Sequence, residues 1–304
     1  MAAVNLPNAS VSGPVNSPIP NPIAPLDDPI LVPAENVSVI STPAIIAANA
    51  LDPTTPPFAL NHARILYNNF LTSSTVASSG GANPSYALLP NTFQSWAFTL
   101  TTTQDITITL PAAVNIDTIS LGAHNLGGTT IAVDIDPLVA GTFVEFAPDK
   151  TPATNDAIMF HVSSAVSVRR IKITVSGATG LAYKIGYITA GIALQMARPF
   201  FSGHNPMDQN KKHRYYDAWT ETGNMVGRAL RSVQLEGDFS WDNLPDAWYR
   251  TYMPAFIESA TRFPYMIAWN LLEYPNDVAM AFTDGDISSS YSGTRNLRSV
   301  SFSA

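Results

Sequence analysis

Apolar and polar residues alternate through the middle of the chain. In the run Asp105, Ile106, Thr107, Ile108, Thr109, Leu110 the aliphatic side chains fall on one face and the threonines on the other, the pattern of a strand with one face in a core and one in water. Similar short runs, rich in β-branched residues and separated by Gly, Asn, Asp and Pro, predict strands over 96–100, 105–110, 118–124, 129–135, 158–162, 169–175 and 183–190. Seven short strands at such spacing predict a β-sandwich or jelly roll over residues 58–190.

The periodicity changes after residue 190. Trp248, Tyr252, Ala255 and Phe256 share a helical face, with Asp242 and Asn243 placed to cap the helix, a start near Leu244 and Pro245 in the first turn. Pro254 falls inside this pattern and predicts a kink or a break into two short helices, and Arg262-Phe263-Pro264 ends it. Strands over 215–222, 226–232, 233–239, 265–269, 278–283 and 297–303 complete an α+β unit with one main helix packed on a sheet. Between the two halves, 198–214 contains Pro199, Gly203 and Pro206 and reads as a long connecting loop of the kind that carries function or subunit contacts. The fold class is therefore mainly β, divided as 1–57 (arm), 58–190 (sandwich), 191–224 (linker) and 225–304 (α+β domain).

Residues 1–57 show no core pattern. They hold twelve of the 24 prolines, no Lys or Arg, and only Asp27, Asp28, Glu35 and Asp52 as charges. Such a segment favours extended, polyproline-like chain. Ile19, Ile23, Ile30, Leu31, Val37, Val39 and Ile40 leave two readings open, a flexible arm or an arm laid along another subunit.

Composition narrows the function classes. Charged residues are only 13% of the 304, about half the usual share, and the net charge is −7, which gives no footprint for phosphate backbones, so no nucleic-acid partner is expected. There is no cysteine, so disulfides, thiolate metal sites and thiol nucleophiles are excluded. The start of the chain lacks the basic and apolar regions of a secretory signal, and no run of eighteen apolar residues predicts a membrane span.

Candidate chemistry is sparse. No nucleotide-binding glycine motif, zinc-protease motif or nucleophile elbow is present. His62, His124, His161, His204 and His213 are scattered without metal-ligand spacing,. Asp134 and Asp136 would share a strand face and offer oxygens to a hard cation, or lead into a turn at Pro137. Asp284 and Asp286 flank Gly285 as in a hairpin turn. Lys211, Lys212, His213 and Arg214 form a basic cluster, read either as a solvated loop or as a contact for an acidic surface. Four of five tryptophans lie after residue 190; Trp219, Trp241, Trp248 and Trp269 would stack sugar rings if exposed, but among so many apolar neighbours they read as core or interface anchors, Trp241, Trp248 and Trp269 with Tyr252 packing the carboxy-terminal domain. No cofactor, metal site or catalytic residue is expected.

Two stretches resemble known families. Asn61-His62-Ala63-Arg64, Val76-Ala77-Ser78-Ser79, Trp96, Ile106 to Leu110, Ile116 to Leu121 and His124-Asn125-Leu126 occur in the order of the discoidin-like, or galactose-binding-like, jelly roll. That resemblance implies a sandwich whose loops at one end bind sugars, lipids or proteins; it assigns no binding residue, and Trp96 and Tyr86 are the residues whose change would test saccharide binding. Residues 225–304 resemble the terminal domain of tailed-bacteriophage tail proteins of the distal-tail or tail-tube type. The resemblance lies in a strand over 232–239, the helix near Leu244, the run Phe263 to Trp269, Tyr274 to Val278 and Ser299-Val300-Ser301-Phe302. Arg198 to His204 is similar to linkers of phage minor structural proteins.

These resemblances imply a non-enzymatic virion protein, in the tail-tip, baseplate or tail adaptor, assembled in the host cytoplasm. It would form a homo-oligomeric ring through its carboxy-terminal domain and contact other tail or baseplate proteins. Trp241, Trp248, Tyr252 and Trp269 would anchor packing, and Lys211, Lys212 and Arg214 would make loop contacts. The alternatives are a saccharide-binding receptor-recognition module, with a host surface saccharide as partner, and a capsid decoration protein.

Overall fold

A computed structural model describes residues 58–139, 141–200, 210–292 and 296–304. The expected arm over 1–57 and His204 lie outside the described residues. In chain order the first nine strands are β1 (Arg64–Leu66), β2 (Thr75–Ser78), β3 (Trp96–Thr99), β4 (Thr103–His124), β5 (Thr130–Asp136), β6 (Val144–Lys150), β7 (Ile158–Ser176), β8 (Ala182–Gly191) and β9 (Leu194–Gln195). Then come β10 (Lys211–Trp219), β11 (Met225–Leu235), β12 (Asp238–Pro245), helix α1 (Asp246–Ala260), β13 (Tyr265–Ala268), β14 (Val278–Ala281), β15 (Asp284–Ser292) and β16 (Leu297–Ser303).

Strands β2 to β8 form the β-sandwich. Sequence periodicity splits β4 and β7 into two strands each, yet both are continuous and pair with one another along most of their length. The reason lies in register shifts after Thr109 and Ile116. Bulges there bend the strand and change which parity faces inward. Ile106, Ile108 and Leu110 are buried before the bend, and Ile119 and Leu121 after it. The first half of β4 pairs with β2 and the second half with β8, so the long strands pass from one layer to the other around a core that includes Trp96, Ile108, Phe160 and Ile173.

The second half of β4 is buried on both faces because a four-stranded sheet, ordered β14-β13-β1-β9, packs against its outer side. Met159 and Tyr187 from the sandwich meet Leu66, Met266 and Val278 from that sheet. Strand β1 lies within the segment read as the start of the sandwich, but its backbone bonds go to β13 and β9.

A third core joins α1 to the sheet β12-β16-β15, with Trp241, Trp248, Phe256, Tyr265 and Phe302 in mutual contact. Helix α1 starts two residues later than the sequence suggests. Asn243 is still on β12 at φ 60, and Pro245 occupies the N-cap with no side-chain cap. Asp246 takes over the charge role at the first turn, where it accepts from Arg250 Nε at 2.6 Å and pairs with Arg298,. The helix does not break into two at Pro254: it runs on as one element from Asp246 to Ala260, with Pro254 facing solvent, where water can take the freed carbonyl,. Met253, not Ala255, completes the buried stripe.

Candidate functional site

Trp96, the residue expected to test sugar stacking, is fully buried: its ring lies 4.3 Å from Phe98 and its Nε1 donates to the Gly80 carbonyl at 3.0 Å. Tyr86 sits half-buried in a short 3-10 turn, Pro84–Leu88. The aromatic ring most open to water nearby is Phe93, 96% exposed. Asp134 and Asp136 offer nothing to a cation, since Lys172 Nζ stands 3.5 Å from Asp134, while Asp136 pairs with Arg170 and accepts from the backbone N–H groups of Leu138 and Gly141. Among the described residues no three His, Asp or Glu side chains gather as a metal site. Asp284 opens β15, with Gly285 at φ 87.

The sequence-derived assembly residues separate into three places. Trp241 and Trp248 are buried in the third core, with Tyr252 beside Trp248 at 5.7 Å. Trp269 stacks on Tyr274 at 4.8 Å, donates to Asp277 Oδ2 at 3.2 Å and borders a cleft of about 250 Å3 between the end of β6 and the β13–β14 connection. Lys150 also lines that cleft, donating to the Pro275 carbonyl at 3.3 Å, and burial lowers its pKa. Lys211, Lys212 and Arg214 lie not in a loop but on strand β10.

Strands β10 and β11 form a hairpin that is a sheet of its own, with no third strand among the described residues. Its register puts Tyr215 opposite Leu230, Asp217 opposite Arg228 and Trp219 opposite Met225. Cross-strand partners share a face, so Tyr215, Trp219, Met225, Leu230, Val233 and Leu235 stand together on one side, with Lys211 and His213 opposite Leu235 and Val233 at its end. They are between 39% (Leu235) and 59% (Trp219) exposed. Arg214, Tyr216 and Ser232 occupy the other side. On the apolar face Arg228 grips Asp217 with two hydrogen bonds of 2.7 and 2.9 Å and lies 4.6 Å from the Tyr215 ring. Lys212 pairs with Glu236 at 2.7 Å. Residues 211–236 carry five basic and three acidic side chains, so this segment is +2 while the remainder of the chain, within a total of −7, is −9.

A larger cavity, about 590 Å3, opens where β1, β9 and α1 meet the sandwich. Phe58, Tyr67 and Phe70 give it aromatic walls, and Arg64, Asn68 and Ser163 give it polar groups. Arg64 is held there by the β1 pairing with Gln195 and Ala268 and is only 2% exposed. Its Nη2 donates to Asp117 Oδ2 at 2.9 Å, its Nη1 to Gln195 Oε1 at 3.4 Å, and Phe58 covers the guanidinium at 5.0 Å. The Arg64 Nε, by contrast, is buried without an acceptor. Burial lowers the Arg64 pKa, against the opposing pull of Asp117. Asp117 itself is fixed by Thr118 Oγ1 and the Ala193 N–H, both at 2.8 Å. Phe58 also stacks with His161 at 6.3 Å, whose pKa is lowered to about 4 by burial and then by the Arg64 and Lys150 charges.

Sequence reasoning passed over Arg64 as a site residue. The available signal was a lone cation inside the apolar run Ala63-Arg64-Ile65-Leu66, where a charge survives only with a partner.

No protein family and no curated protein matches the chain in sequence. Solved structures are similar over part of it. A family 32 carbohydrate-binding module of C. perfringens NanJ, in complex with galactose, is 16% identical over 41% of this chain and 98% of that one, at a TM-score of 0.36. A module of the same family from AlyQ, in complex with 4,5-unsaturated mannuronic acid, is 19% identical over 41% and 96%, at 0.34. A Ruminococcus gnavus GH29 fucosidase in complex with fucose is 18% identical over 42% of this chain, at 0.36, and the match spans about a quarter (27%) of the fucosidase. At these TM-scores the likenesses carry no inference about what this chain binds.

Proposed function

We propose that the chain is a non-enzymatic structural protein that assembles with copies of itself, the β10–β11 hairpin of one copy seating on the next. The observation that carries this reading is the apolar face of that hairpin, set in water on a ribbon with no further strand among the described residues. A lone two-stranded ribbon is marginal in water, and its unpaired edges are templates for another chain. Charge favours a second copy as the occupant, because a +2 hairpin meets a chain remainder of −9, which steers association and weakens it in salt. A closed ring is the economical result of one such head-to-tail contact repeated. The setting we propose is a tailed-phage virion, in a tail-tip, baseplate or adaptor ring built in the host cytoplasm, on the order of sequence features over 225–304.

Sedimentation of the full chain at matched concentrations tests this. Wild type should run as an oligomer whose mass falls with added salt, and a Tyr215→Ser/Leu230→Ser variant should run as a monomer with the same thermal midpoint. A monomeric wild type, or a variant of unchanged mass, would count against the reading.

A second reading, saccharide recognition, is favoured by the aromatic-walled cavity beside Arg64. It requires no change in the first, since hairpin and cavity are built from different residues.

A further inference from the structure

We propose that the outer edge of β10 in one copy pairs in parallel with the outer edge of β15 in the next, so that the sheet β12-β16-β15 continues into the neighbour's hairpin. The proposal rests on the hairpin assembly set out above and names the surface that receives it.

Elimination among the sheet edges selects β15. An edge invites a foreign strand when it is long and free of proline and lysine. Strands β2, β3, β9 and β14 are two or four residues long. Strand β6 carries Pro148 and Lys150, and β12 ends on Pro245 and is irregular between Trp241 and Leu244. Strand β15 has nine residues without Pro, Lys or Arg and is exposed along nearly all of its length. Past a bulge between Asp284 and Ser288 it pairs regularly with β16 as far as Ser292, and its other side meets no strand among the described residues. On the hairpin, the register shifts leave Val226 and Arg231 as the extra residues, both in β11, so β10 presents the regular edge,.

Charge sets the direction. Lys211, Lys212 and Arg214 open β10, where they disfavour a neutral or cationic edge, and Asp284 and Asp286 open β15,. These ends meet only if the two strands run parallel. Among the described residues Arg214, Asp284 and Asp286 form no ion pair with one another or with any other group. With Lys212 set beside Asp284, Arg214 falls beside Asp286, Tyr215 beside Ile287, Ala218 beside Ser290 and Trp219 beside Tyr291. The faces agree in this register. Ser289 lies opposite Val300 of the third core, so Ile287 and Tyr291 share the core face, and the apolar face of the hairpin extends it,. The cations and carboxylates then stand together on the face away from α1. An antiparallel pairing would lay Trp219 beside the acidic end and leave the cations among serines.

The test is an Ala218→Cys/Ser290→Cys variant of the full-length protein, oxidised mildly and run on a non-reducing denaturing gel, beside sedimentation of the same protein before oxidation. The natural chain has no thiol of its own. Paired strands lie about 4.8 Å apart, inside the range of roughly 4.4–6.8 Å between Cα atoms that a disulfide spans. Covalent multimers larger than a dimer should form, whereas neither single variant can exceed a dimer. Arg214→Glu should weaken assembly about tenfold or more, and Arg214→Glu/Asp286→Arg should restore it, a rescue that a merely structural loss would not give. An oligomer of unchanged mass without covalent multimers would overturn this pairing while leaving assembly through the hairpin in place. Failure of the reversed pair to restore the mass would overturn the charge register. A monomeric wild type would remove both the pairing and the reading on which it rests.

Discussion

His124 and His161 are buried enough to hold their pKa near 4, below the ordinary 6.5, chiefly through desolvation of the imidazolium,. The folded state therefore binds fewer protons than the unfolded chain between pH 6.5 and 4. The neutral rings contribute fully above pH 6.5, and stability falls as the pH drops toward 4, by on the order of 1 kcal/mol per pH unit for His124 and by less for the more solvated His161. Thermal midpoints measured from pH 7 to pH 4 should show this slope, and a His124→Gln/His161→Gln variant should flatten it. An acid limb of unchanged slope would assign the loss to carboxylates instead. Gly191 offers a steric test at the same scale. A Cβ there would stand 2.3 Å from the Asn68 carbonyl, which is backbone and cannot swing aside, whereas a Cβ at Gly122 would meet the ends of the Met266 and Met280 side chains, which have rotatable bonds to give way,. Gly191→Ala should cost about 1–3 kcal/mol in denaturant melts and Gly122→Ala clearly less; equal losses would contradict the account.

At the scale of elements, periodicity located most strands of the sandwich because they alternate cleanly, as Ile106 to Leu110 does. It cut β4 and β7 in two because a bulge reverses which parity is buried, and nothing in a short window reveals that the chain continues. Strand β6 escaped because it carries Pro148, a residue tolerated at the sheet edge it occupies,. Strand β15 escaped because Ser288, Ser289 and Ser290 give an edge strand no apolar face. Helix α1 was legible from Trp248 and Phe256, but its continuity through Pro254 depends on which side meets water. That point yields a prediction: Pro254→Ala should restore the backbone bond and stabilise the protein by about 1–2 kcal/mol, less than the full helix penalty of proline because the unfolded chain also gains freedom. A lower melting temperature would mean that the proline is needed where it stands. The basic cluster at Lys211 to Arg214 was visible in sequence, but its place on a strand, and the apolar face that begins at Tyr215, required the cross-strand register. The cavity was less legible still, since Phe58, Arg64, Ser163 and Trp248 are brought together by tertiary pairing alone.

Over the whole molecule, three cores hold the described part of the chain, and none of them needs the hairpin. The apolar face of the hairpin is surface that folding leaves in water, and assembly is the process that would remove it. The chain contains no cysteine, so a nitroxide attached to an Ala229→Cys variant on the opposite face of β11, across from Tyr216, reports only on that position in each copy. Pulsed electron-electron resonance on the fully labelled protein is the most direct measurement. Assembly through the hairpin should give a defined distance between labels of neighbouring copies, lost when Tyr215→Ser and Leu230→Ser are added. A signal showing only the uniform background of separate molecules, at concentrations where the protein is otherwise intact, would contradict it.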